Sequence, residues 1–589
     1  SGIDLIDRYT QNEMRNTINA YTTYELNLNK VHNFKFMLGM NRVTYDMEYS
    51  QARRTTVNEL DNPQFNFATG DQYVWGDKDW NAQLGYFGRI NYDYAGKYLL
   101  EANLRYDGTS IFGKNSRWRW YPSFSGGWRV SEEEFMEPIK NIVYSLKLRS
   151  SWGKIGDQTV SNSLYLSTID TGTTSWIGSD GNYTSYVGTP SSVASDITWQ
   201  DITTFDIGLD ARFLNGELGF SFDWYRRKTE NMIVPNQDLT YSYGTSSLKG
   251  NYGNLHTDGW EIALDYSHRF NNGLRISANA ALSDFKTIID DYGNVNGLTS
   301  YYKGKVYGDI WGFKVDRLYQ NTDFVYDSNG NLVTEVVTSG KGKGVTINKL
   351  SDSNAPNQGY LQSGSLVFGP GDVKYKDLDG DGEITQGDNT IDNHGDKVVI
   401  GNSTPRYQYS FRLGADYKGF DFSIFFQGVG KCDQWGSSSL TLAGFNTGDG
   451  AIAKRFSTNY WTEENTNAFY PRATNLSNST DLFNMRISDR YLLNMAYLRL
   501  KNITFGYTLP AMITKKALIQ KVRVYASFEN LLTFDHLDGT PIDPESAVIG
   551  TTDSYEYLTN SSTSNYAGGR VGIGTPAFKS MSIGIQLTF

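Results

Sequence analysis

The feature that most constrains this chain is a period-two alternation of apolar and polar residues, sustained over long segments and repeated along the sequence. Residues 98–106 (YLLEANLRY), 407–417 (YQYSFRLGADY) and 581–589 (MSIGIQLTF) place an apolar residue at every second position. Because successive side chains of a β-strand point to opposite faces, each segment predicts a strand with one apolar face and one polar face.

About fifteen segments follow this pattern. They are predicted near residues 15–30, 33–50, 82–94, 97–108, 116–131, 142–156, 199–213, 217–231, 256–270, 273–289, 405–418, 420–431, 494–508, 521–533 and 576–589. Strands of soluble sheets usually have about 5–6 residues, and these predicted strands are much longer. A tilted strand crosses a bilayer in about 9–11 residues, so the predicted lengths suit a membrane-spanning strand that projects beyond the bilayer.

The connections between the predicted strands alternate in length. The short ones are Ala95-Gly96, Leu214-Asn215-Gly216, Asn271-Asn272-Gly273 and Lys418-Gly419, and the long ones lie near 51–81, 157–198, 232–255, 290–404, 432–493 and 534–575. Short turns on one side and long loops on the other are typical of an outer-membrane β-barrel, as are Tyr and Phe near the strand ends. The alternation alone is also compatible with a half-buried antiparallel sheet in a soluble protein.

Composition excludes several classes of protein. The formal charge is −10, without clusters of Lys or Arg, which disfavours nucleic-acid binding. An aromatic content of 14% disfavours disorder. A single cysteine, Cys432, and five scattered histidines argue against a zinc site; the histidines are His32, His256, His268, His394 and His536. The chain has no run of 18 apolar residues, so no transmembrane helix is predicted.

The two ends of the sequence suggest a piece of a larger barrel. Ser1 is expected to follow a cleaved leader or the rest of a longer chain. An odd number of antiparallel strands cannot close on itself, and the last predicted strand ends in Phe589, an aromatic end like those that outer-membrane assembly machinery reads. Missing strands are therefore expected before Ser1.

Several sequence blocks resemble the SusC/RagA-like family of TonB-dependent outer-membrane transporters from Bacteroidetes-type bacteria. They are RYDGTSIFGKNSRWRWYPSFSGGWRVSEEEF at 105–135, LKLRSSWGKIGDQ at 146–158, ITTFDIGLDARFLNGELGFSFDWYRRKTENMI at 202–233, GPGDVKYKDLDGDGEI at 369–384, YKGFDFSIFFQGVG at 417–430, YLRLKNITFGYTLP at 497–510, RVYASFENLLTF at 523–534 and DPE at 543–545. The blocks span nearly the whole chain in order, so the resemblance is specific.

The resemblance implies an all-β fold, a transmembrane antiparallel β-barrel to which residues 1–589 supply about the last 15 of 22 strands, without the plug domain and the first strands. It implies location in the outer membrane, contact with outer-membrane lipid, coupling to a TonB-ExbB-ExbD complex through the missing N-terminal part, and a SusD-like surface lipoprotein as partner, with a dimer of such pairs. The implied cargo is an oligosaccharide or, less often, an oligopeptide.

The sharpest local motif is the sequence DLDGDGEI that begins at Asp377. Asp377, Asp379 and Asp381 occupy positions one, three and five of a calcium loop, Gly382 occupies position six and Asp388 position twelve. Glu383, at position seven, would contribute its backbone carbonyl. The motif predicts a Ca²⁺ site that stiffens the long loop 290–404, and the alternative is an Asp- and Gly-rich turn that binds nothing.

Substrate contacts are expected from aromatic residues of the long loops, because aromatic rings stack on sugars and also suit peptides. The candidates are Trp75, Trp80, Trp176, Tyr301, Tyr302, Trp311 and Trp435, with loop packing or contact with the lipoprotein as the alternative for each. Glu101, Arg105 and Asp210 are expected on the lumen-facing side, where hydrogen-bond networks within the wall are the simpler role.

No catalytic motif supports an enzyme: G-x-S-x-G, H-E-x-x-H and the Walker loop are absent from the sequence. Cys432 has no evident histidine partner and is expected to be inert, and Glu132-Glu133-Glu134 is expected to be a solvated turn. The function predicted is therefore uptake of a large polar nutrient. The alternatives are a structural subunit of an envelope complex and a secreted all-β protein that binds or cleaves glycans.

Overall fold

The computed structural model of the chain describes most of its residues. The described residues are 4–160, 162, 164–178, 181, 183–191, 193, 196–235, 249–293, 297–298, 301–362, 366–436, 454, 457–473, 483–514, 516, 518–540, 542–546 and 577–589. The predicted loops near 157–198, 232–255, 290–404, 432–493 and 534–575 therefore fall partly outside the described residues, as does residue 576 at the start of the last predicted strand.

Fifteen long strands form one sheet in which each strand is hydrogen-bonded to its neighbours in the sequence. We number them β1 Leu5–Leu28, β2 His32–Thr55, β3 Gln72–Tyr94, β4 Tyr98–Thr109, β5 Trp118–Arg129, β6 Val143–Asp157, β7 Gln200–Phe213, β8 Leu218–Pro235, β9 Lys249–Arg269, β10 Arg275–Asp291, β11 Arg406–Tyr417, β12 Phe420–Lys431, β13 Tyr497–Thr508, β14 Lys521–Asp535 and β15 Ser580–Thr588. The sheet is antiparallel, and both the fold class and the number of strands predicted from the alternation are confirmed.

Turns at one end of the strands are tight where the sequence predicts them. Ala95 and Gly96 both have positive φ values, 52° and 69°, as do Lys418 and Gly419, at 47° and 91°. Two consecutive residues with positive φ form the type I′ turn that matches the twist of a β-hairpin. The glycines supply this conformation without a side-chain clash.

The main difference from the prediction is the length of β1, β2 and β3 at the end that carries the long loops. The predicted loop 51–81 is wrong at both ends, because β2 continues to Thr55 and β3 begins at Gln72, which leaves only 56–71 between them. The extra residues pair in one uninterrupted antiparallel register, from Leu5 opposite Thr55 to Leu28 opposite His32.

The face of β3–β5 that carries even-numbered residues presents an apolar band between two rows of aromatic rings. Near the tight turns, Tyr98 lies 6.2 Å from Tyr94 and 6.4 Å from Trp128, measured between ring centroids. At the other limit, Tyr106 lies 4.4 Å from Trp120. Tyr98 and Tyr106 are eight positions apart on β4, roughly 26 Å along the strand at about 3.3 Å per residue. For a strand tilted by about 40° this is about 20 Å along the membrane normal, of the order of the apolar band between the aromatic girdles of a transmembrane barrel.

Beyond the second aromatic row, the same face becomes polar. The register places Arg42 opposite Leu84, and further along it places Asp46 opposite Trp80 and Glu48 opposite Lys78. Between the two rows, by contrast, the exposed side chains are apolar, such as Leu100, which is 56% exposed. We conclude that β1–β3 cross the hydrocarbon near their tight turns and project well past it at the other end.

The remaining elements are short and lie in the connections. Within the described part of the chain, five two-stranded sheets pair Ile169–Ile177 with Tyr183–Pro190, Asp309–Phe313 with Lys397–Asn402, Val315–Leu318 with Val373–Tyr375, Thr334–Val336 with Thr346–Asn348, and Asp433–Gln434 with Leu493–Asn494. One α-helical turn spans Ala511–Thr514, and 3₁₀ turns span Phe65–Phe67, Val130–Glu132, Glu134–Ile139, Leu214–Gly216, Asn321–Asp323, Gly359–Leu361 and Pro544–Ser546. Among the described residues, no helix has the length and apolar character needed to cross a membrane.

The chain divides into two compact units. Unit 1 comprises 1–211, 223–258 and 290–294, and unit 2 comprises 212–222, 259–289 and 295–589. In unit 1, Ile197 and Trp199 of the connection between β6 and β7 pack on Phe112 and Tyr121. In unit 2, the long connections form a core of their own, in which Phe368, Tyr375 and Phe483 are almost fully buried.

Replacing Phe124 by arginine tests the membrane face. Phe124 lies in the apolar band opposite Ala102, and a cation there should lower the free energy of unfolding in lipid by about 2–4 kcal/mol. The matched control is Ser125→Arg, since Ser125 lies on the other face opposite Glu101 and should tolerate a cation. Urea unfolding in lipid vesicles measures both variants, and equal losses would contradict the assignment of faces.

Candidate functional site

The odd-numbered face of β3–β6 carries the charged side chains, and these pair with one another across strands. Arg149 on β6 donates to Asp210 at 3.0 Å and to Asp223 at 2.7 Å, and Asp206 lies 3.5 Å away. One guanidinium is thus surrounded by three carboxylates of β7 and β8. Asp210 was predicted to lie on the polar face of the sheet. In the structure it lies there and is hydrogen-bonded to Arg149.

Glu101 and Arg105 of β4 also lie on this polar face and are bonded within the wall. Glu101 accepts hydrogen bonds from the amides of Asn91 and Asn103, the second at 2.7 Å. Arg105 pairs with Asp107 at 2.9 Å and covers the ring of Phe87. Both residues therefore take part in hydrogen-bond networks within the wall, which is the simpler of the two roles considered in the sequence analysis.

The same design recurs along the other strands. Cross-strand pairs of arginine and aspartate join Arg53 with Asp7, Arg212 with Asp265, Arg406 with Asp284 and Arg523 with Asp421. Exposed ion pairs add little stability each. Their number makes one face of the sheet a charged, hydrated surface, in contrast to the apolar band behind it.

In unit 1 this polar face lines an open cavity of about 670 Å³ near the tight turns. Its lining includes Lys35, Asn91, Glu101, Lys147 and Arg149. The lining is therefore mixed in charge, and it also includes apolar side chains such as Phe34 and Leu99. The cavity lies at the same level along the strands as the apolar band.

At the far end of β1–β3, past the apolar band, the polar face carries aromatic rings. Tyr9 stacks on Tyr49 with 5.4 Å between ring centroids, and Tyr73 stacks on Trp75 at 5.7 Å. The guanidinium of Arg53 lies 5.4 Å from the ring of Trp75. Tyr9, Tyr49 and Tyr73 were not among the predicted substrate contacts: Tyr9 and Tyr49 lie outside the predicted loops, and only Trp75 and Trp80 were chosen from the predicted loop 51–81 that contains Tyr73.

Trp75 and Trp80, both predicted as substrate contacts, lie on β3 rather than in a loop, and they lie on opposite faces. Positions 75 and 80 differ by an odd number, and the register of β2 with β3 is continuous between them. Trp75 pairs opposite Gln51 on the polar face, and Trp80 pairs opposite Asp46 on the other face. Only Trp75 therefore shares a surface with the aromatic cluster and the ion pairs.

The other predicted aromatic residues divide between exposed and buried positions. Trp176 is 80% exposed on the hairpin that begins at Ile169, whereas Trp435 is 3% exposed in the core of unit 2. Tyr302 is buried and its hydroxyl accepts a hydrogen bond from the indole of Trp311 at 3.0 Å. The structure thus brings Tyr302 and Trp311 together with Tyr301, whose ring stacks on Tyr307 at 6.0 Å.

In the Asp-rich loop, three carboxylates converge, but not the three that the spacing predicts. One carboxylate oxygen each of Asp377, Asp379 and Asp396 lie within 4.8 Å of one another. Asp396 is fully buried and accepts hydrogen bonds from the backbone N–H groups of Leu378 and Thr385, both at 2.7 Å. Burial and repulsion from the other two carboxylates raise the pKa of Asp396. A cation would relieve this repulsion, so the residues present fit a hard divalent ion.

The predicted ligands Asp381, Glu383 and Asp388 are engaged elsewhere. The carboxylate of Asp381 accepts the backbone N–H of Glu383 at 2.8 Å. The buried carboxylate of Glu383 accepts the backbone N–H groups of Lys341 and Gly342 at 2.7 and 2.5 Å. Asp388 accepts from the ammonium group of Lys341 at 3.1 Å and the amide of Asn393 at 2.7 Å, and these contacts lower its pKa. The calcium site stays a prediction, now centred on Asp396 in place of Asp388.

Two further acidic or thiol groups have structural roles. Glu133, in the turn between β5 and β6, accepts hydrogen bonds from the hydroxyl of Tyr98 at 2.7 Å and the indole of Trp128 at 3.1 Å. It thus anchors the aromatic row near the tight turns.

Cys432 is buried, and burial beside Asp433 raises its pKa to about 12, so the thiol is a poor nucleophile at neutral pH.

Comparison with known proteins places these features in a family. The family described as TonB dependent receptor-like, β-barrel matches residues 1–362. The TonB-dependent receptor P3 of Formosa agariphila is 28% identical over 554 residues, covering 90% of this chain and 49% of that protein. The TonB-dependent receptor SusC of Bacteroides thetaiotaomicron is 26% identical over 473 residues, covering 79% of this chain and 41% of that protein. The chain thus spans about half the length of the curated relatives it matches.

Solved structures agree on the fold. The RagAB peptide transporter superimposes with a TM-score of 0.72 at 18% sequence identity, covering 99% of this chain and 56% of that chain. At this identity the likeness concerns the fold alone. It supports the all-β architecture described above.

Arg149→Ala tests the wall network. The change leaves Asp206, Asp210 and Asp223 facing one another without their shared guanidinium, and we expect the free energy of unfolding to fall by about 2 kcal/mol. Arg149→Lys, which keeps the charge but loses the forked geometry, should cost less. Urea unfolding in lipid vesicles measures both. A loss as large for lysine as for alanine would show that geometry, rather than charge, holds this network.

Calcium titration tests the Asp-rich loop. If Asp396 is a ligand, Ca²⁺ should raise the Tm of the wild type and of Asp388→Asn, but not of Asp396→Asn. If Ca²⁺ instead raises the Tm of Asp396→Asn but not of Asp388→Asn, then Asp388, at position twelve, is the ligand. If Ca²⁺ shifts the Tm of none of the three proteins, the calcium site is refuted. Differential scanning calorimetry in detergent makes the measurement.

The pH dependence of the same loop has a definite sign. The pKa of Asp396 is raised in the folded protein. Without a cation, its contribution to folding is therefore most favourable below its unfolded pKa of about 4 and is lost as the pH rises through the folded pKa. Ionised Asp396 is the form that binds Ca²⁺, so the calcium-induced rise in Tm should grow over this pH range. A calcium effect that shrinks as the pH rises would contradict the role of Asp396.

Proposed function

Because the chain belongs to the TonB-dependent receptor-like β-barrel family, we propose that it forms the wall of an outer-membrane importer for a large polar nutrient. The protein is an outer-membrane protein. The proposal concerns the activity of the whole receptor, of which this chain provides at least fifteen strands.

The observation that carries the proposal is the contrast between the two faces of the sheet. One face presents exposed apolar side chains between two aromatic rows, and the other presents cross-strand ion pairs and the 670 Å³ cavity. A wall that meets lipid on one side and charged groups on the other suits passage of hydrated cargo. It does not suit a secreted glycan-binding protein, which would have to cover so large an apolar surface in water.

Partners follow from the relatives. SusC is described as a TonB-dependent receptor, and the RagAB structure as a peptide transporter. We propose by likeness that uptake by this protein depends on an inner-membrane TonB-ExbB-ExbD complex and on a SusD-like surface lipoprotein. The projecting ends of β1–β3 offer a surface beyond the membrane for docking of such a lipoprotein. A role as a structural subunit only is the alternative.

Deletion of the gene tests transport. Growth on the polymer or peptide mixture that induces the gene should fail in the deletion strain, and uptake of labelled oligomers by whole cells should fall at least tenfold. Complementation with the wild type should restore both. Normal uptake, with a damaged envelope as the only phenotype, would instead support the structural role.

A further inference from the structure

The projecting part of β1–β3 carries a patterned surface on its polar face. The register sets three cross-strand rows side by side: Tyr9 opposite Gln51 opposite Trp75, Asp7 opposite Arg53 opposite Tyr73, and Gln11 opposite Tyr49 opposite Asp77. We call these nine residues the platform. Each row holds at least one ring and at least one hydrogen-bonding group, so every ring of the platform has a polar neighbour in its own row.

The rings of the platform are available to a ligand. Tyr9, Tyr73 and Trp75 are 54%, 44% and 40% exposed. They are also held in place, since Tyr9 stacks on Tyr49 and Trp75 contacts both the ring of Tyr73 and the guanidinium of Arg53. A flat ring that is fixed and exposed binds another flat surface with little loss of conformational entropy.

The polar groups of the platform are held in fixed directions. Asp7 accepts hydrogen bonds from Gln51 at 2.9 Å and from Arg53 at 2.6 and 2.9 Å. The hydroxyl of Tyr9 donates to Gln11, whose amide donates to Glu13. Amide, carboxylate and guanidinium groups arranged between rings are suited to the hydroxyl groups of a sugar, which both donate and accept.

The charge around the platform selects against anionic ligands. The polar-face positions of this part of β1–β3 carry four acidic residues and two basic ones; they are Asp7, Glu13, Asp77 and Asp79 against Arg15 and Arg53. Arg53 is already paired with Asp7. A sulfated or uronic-acid chain would meet net repulsion here, whereas an uncharged chain would not.

We propose that the platform is a docking site for an uncharged oligosaccharide, placed on the polar face outside the membrane. The inference rests on the proposed import function and names its cargo class. Rings of Tyr9, Tyr73 and Trp75 stack on the flat faces of successive sugars, while Gln51, Asp7 and Arg53 bind the hydroxyl groups between them.

Direct binding tests this inference without requiring transport. The purified protein in detergent is applied to an array of uncharged oligosaccharides (maltoheptaose, cellohexaose, laminarihexaose and mannohexaose), charged ones (oligogalacturonate and sulfated carrageenan oligomers) and uncharged octapeptides. We expect binding to at least one uncharged oligosaccharide and to none of the charged ones. Binding only to charged sugars, only to peptides, or to nothing on the array would overturn the proposal.

Two tryptophans of one strand provide the matched comparison. Trp75→Ala should weaken binding of the array ligand about tenfold, which corresponds to about 1.4 kcal/mol. Trp80→Ala, on the opposite face of the same strand, should leave it unchanged. Trp75→Tyr keeps a flat ring and should retain most of the affinity, which separates ring stacking from a folding defect. Equal affinity of Trp75→Ala and wild type would assign the platform a structural role only.

Uptake in cells distinguishes failure of this inference from failure of the import function. If the wild type imports the oligosaccharide and Trp75→Ala imports it equally well at low concentration, import stands and the platform is refuted. If deletion of the gene leaves uptake of every array ligand unchanged, the import function itself is refuted, whatever the platform binds.

Discussion

Backbone hydrogen bonding in the absence of water is the constraint on which this structure depends. In hydrocarbon, every N–H and C=O must find a partner within the protein, and a sheet satisfies this only through continuous ladders between strands. From β1 to β4, each strand pairs with the next in one unshifted antiparallel register. Because side chains alternate strictly along such strands, the ladder alone decides which residue meets lipid and which meets water. Phe124 and Ser125 are adjacent in the sequence, and consequently the side chain of Phe124 faces lipid whereas that of Ser125 faces water.

The sequence predicts the membrane-spanning part well for the same physical reason. Lipid on one face and water on the other impose alternation, so the observed bounds of β4, β11 and β12 lie within about two residues of the predicted ones. Past the aromatic row, both faces meet water and alternation is no longer required. The extensions of β1–β3 therefore carry polar residues on both faces, such as Asp77 and Lys78, and they resemble loops until their pairing is known.

The candidate site is less predictable, because its parts come from distant positions. Spacing identifies Asp377 and Asp379 as neighbours, but Asp396 joins them only through the fold of the connection between β10 and β11. Trp75 is recognisable as an exposed aromatic residue, but its neighbours Tyr9 and Tyr49 follow only from the register of three strands. Trp435 is also a tryptophan of a predicted loop, but it lies in a buried core. Packing among loops produces no periodic pattern in the sequence, so the sequence could not distinguish buried Trp435 from exposed Trp75.

The loop core of unit 2 obeys the rules of soluble proteins, in contrast to the sheet. Asp372 is fully buried there and is held by Arg472, Asn484 and the backbone N–H of Gly369. Such a network is costly to leave incomplete, so it favours one arrangement of the connections. The Asp-rich loop is attached to this arrangement through Glu383, which binds the backbone at Lys341 and Gly342. A cation bound at Asp396 would therefore act on a part of unit 2 that is already fixed, adding stiffness to it rather than creating a fold.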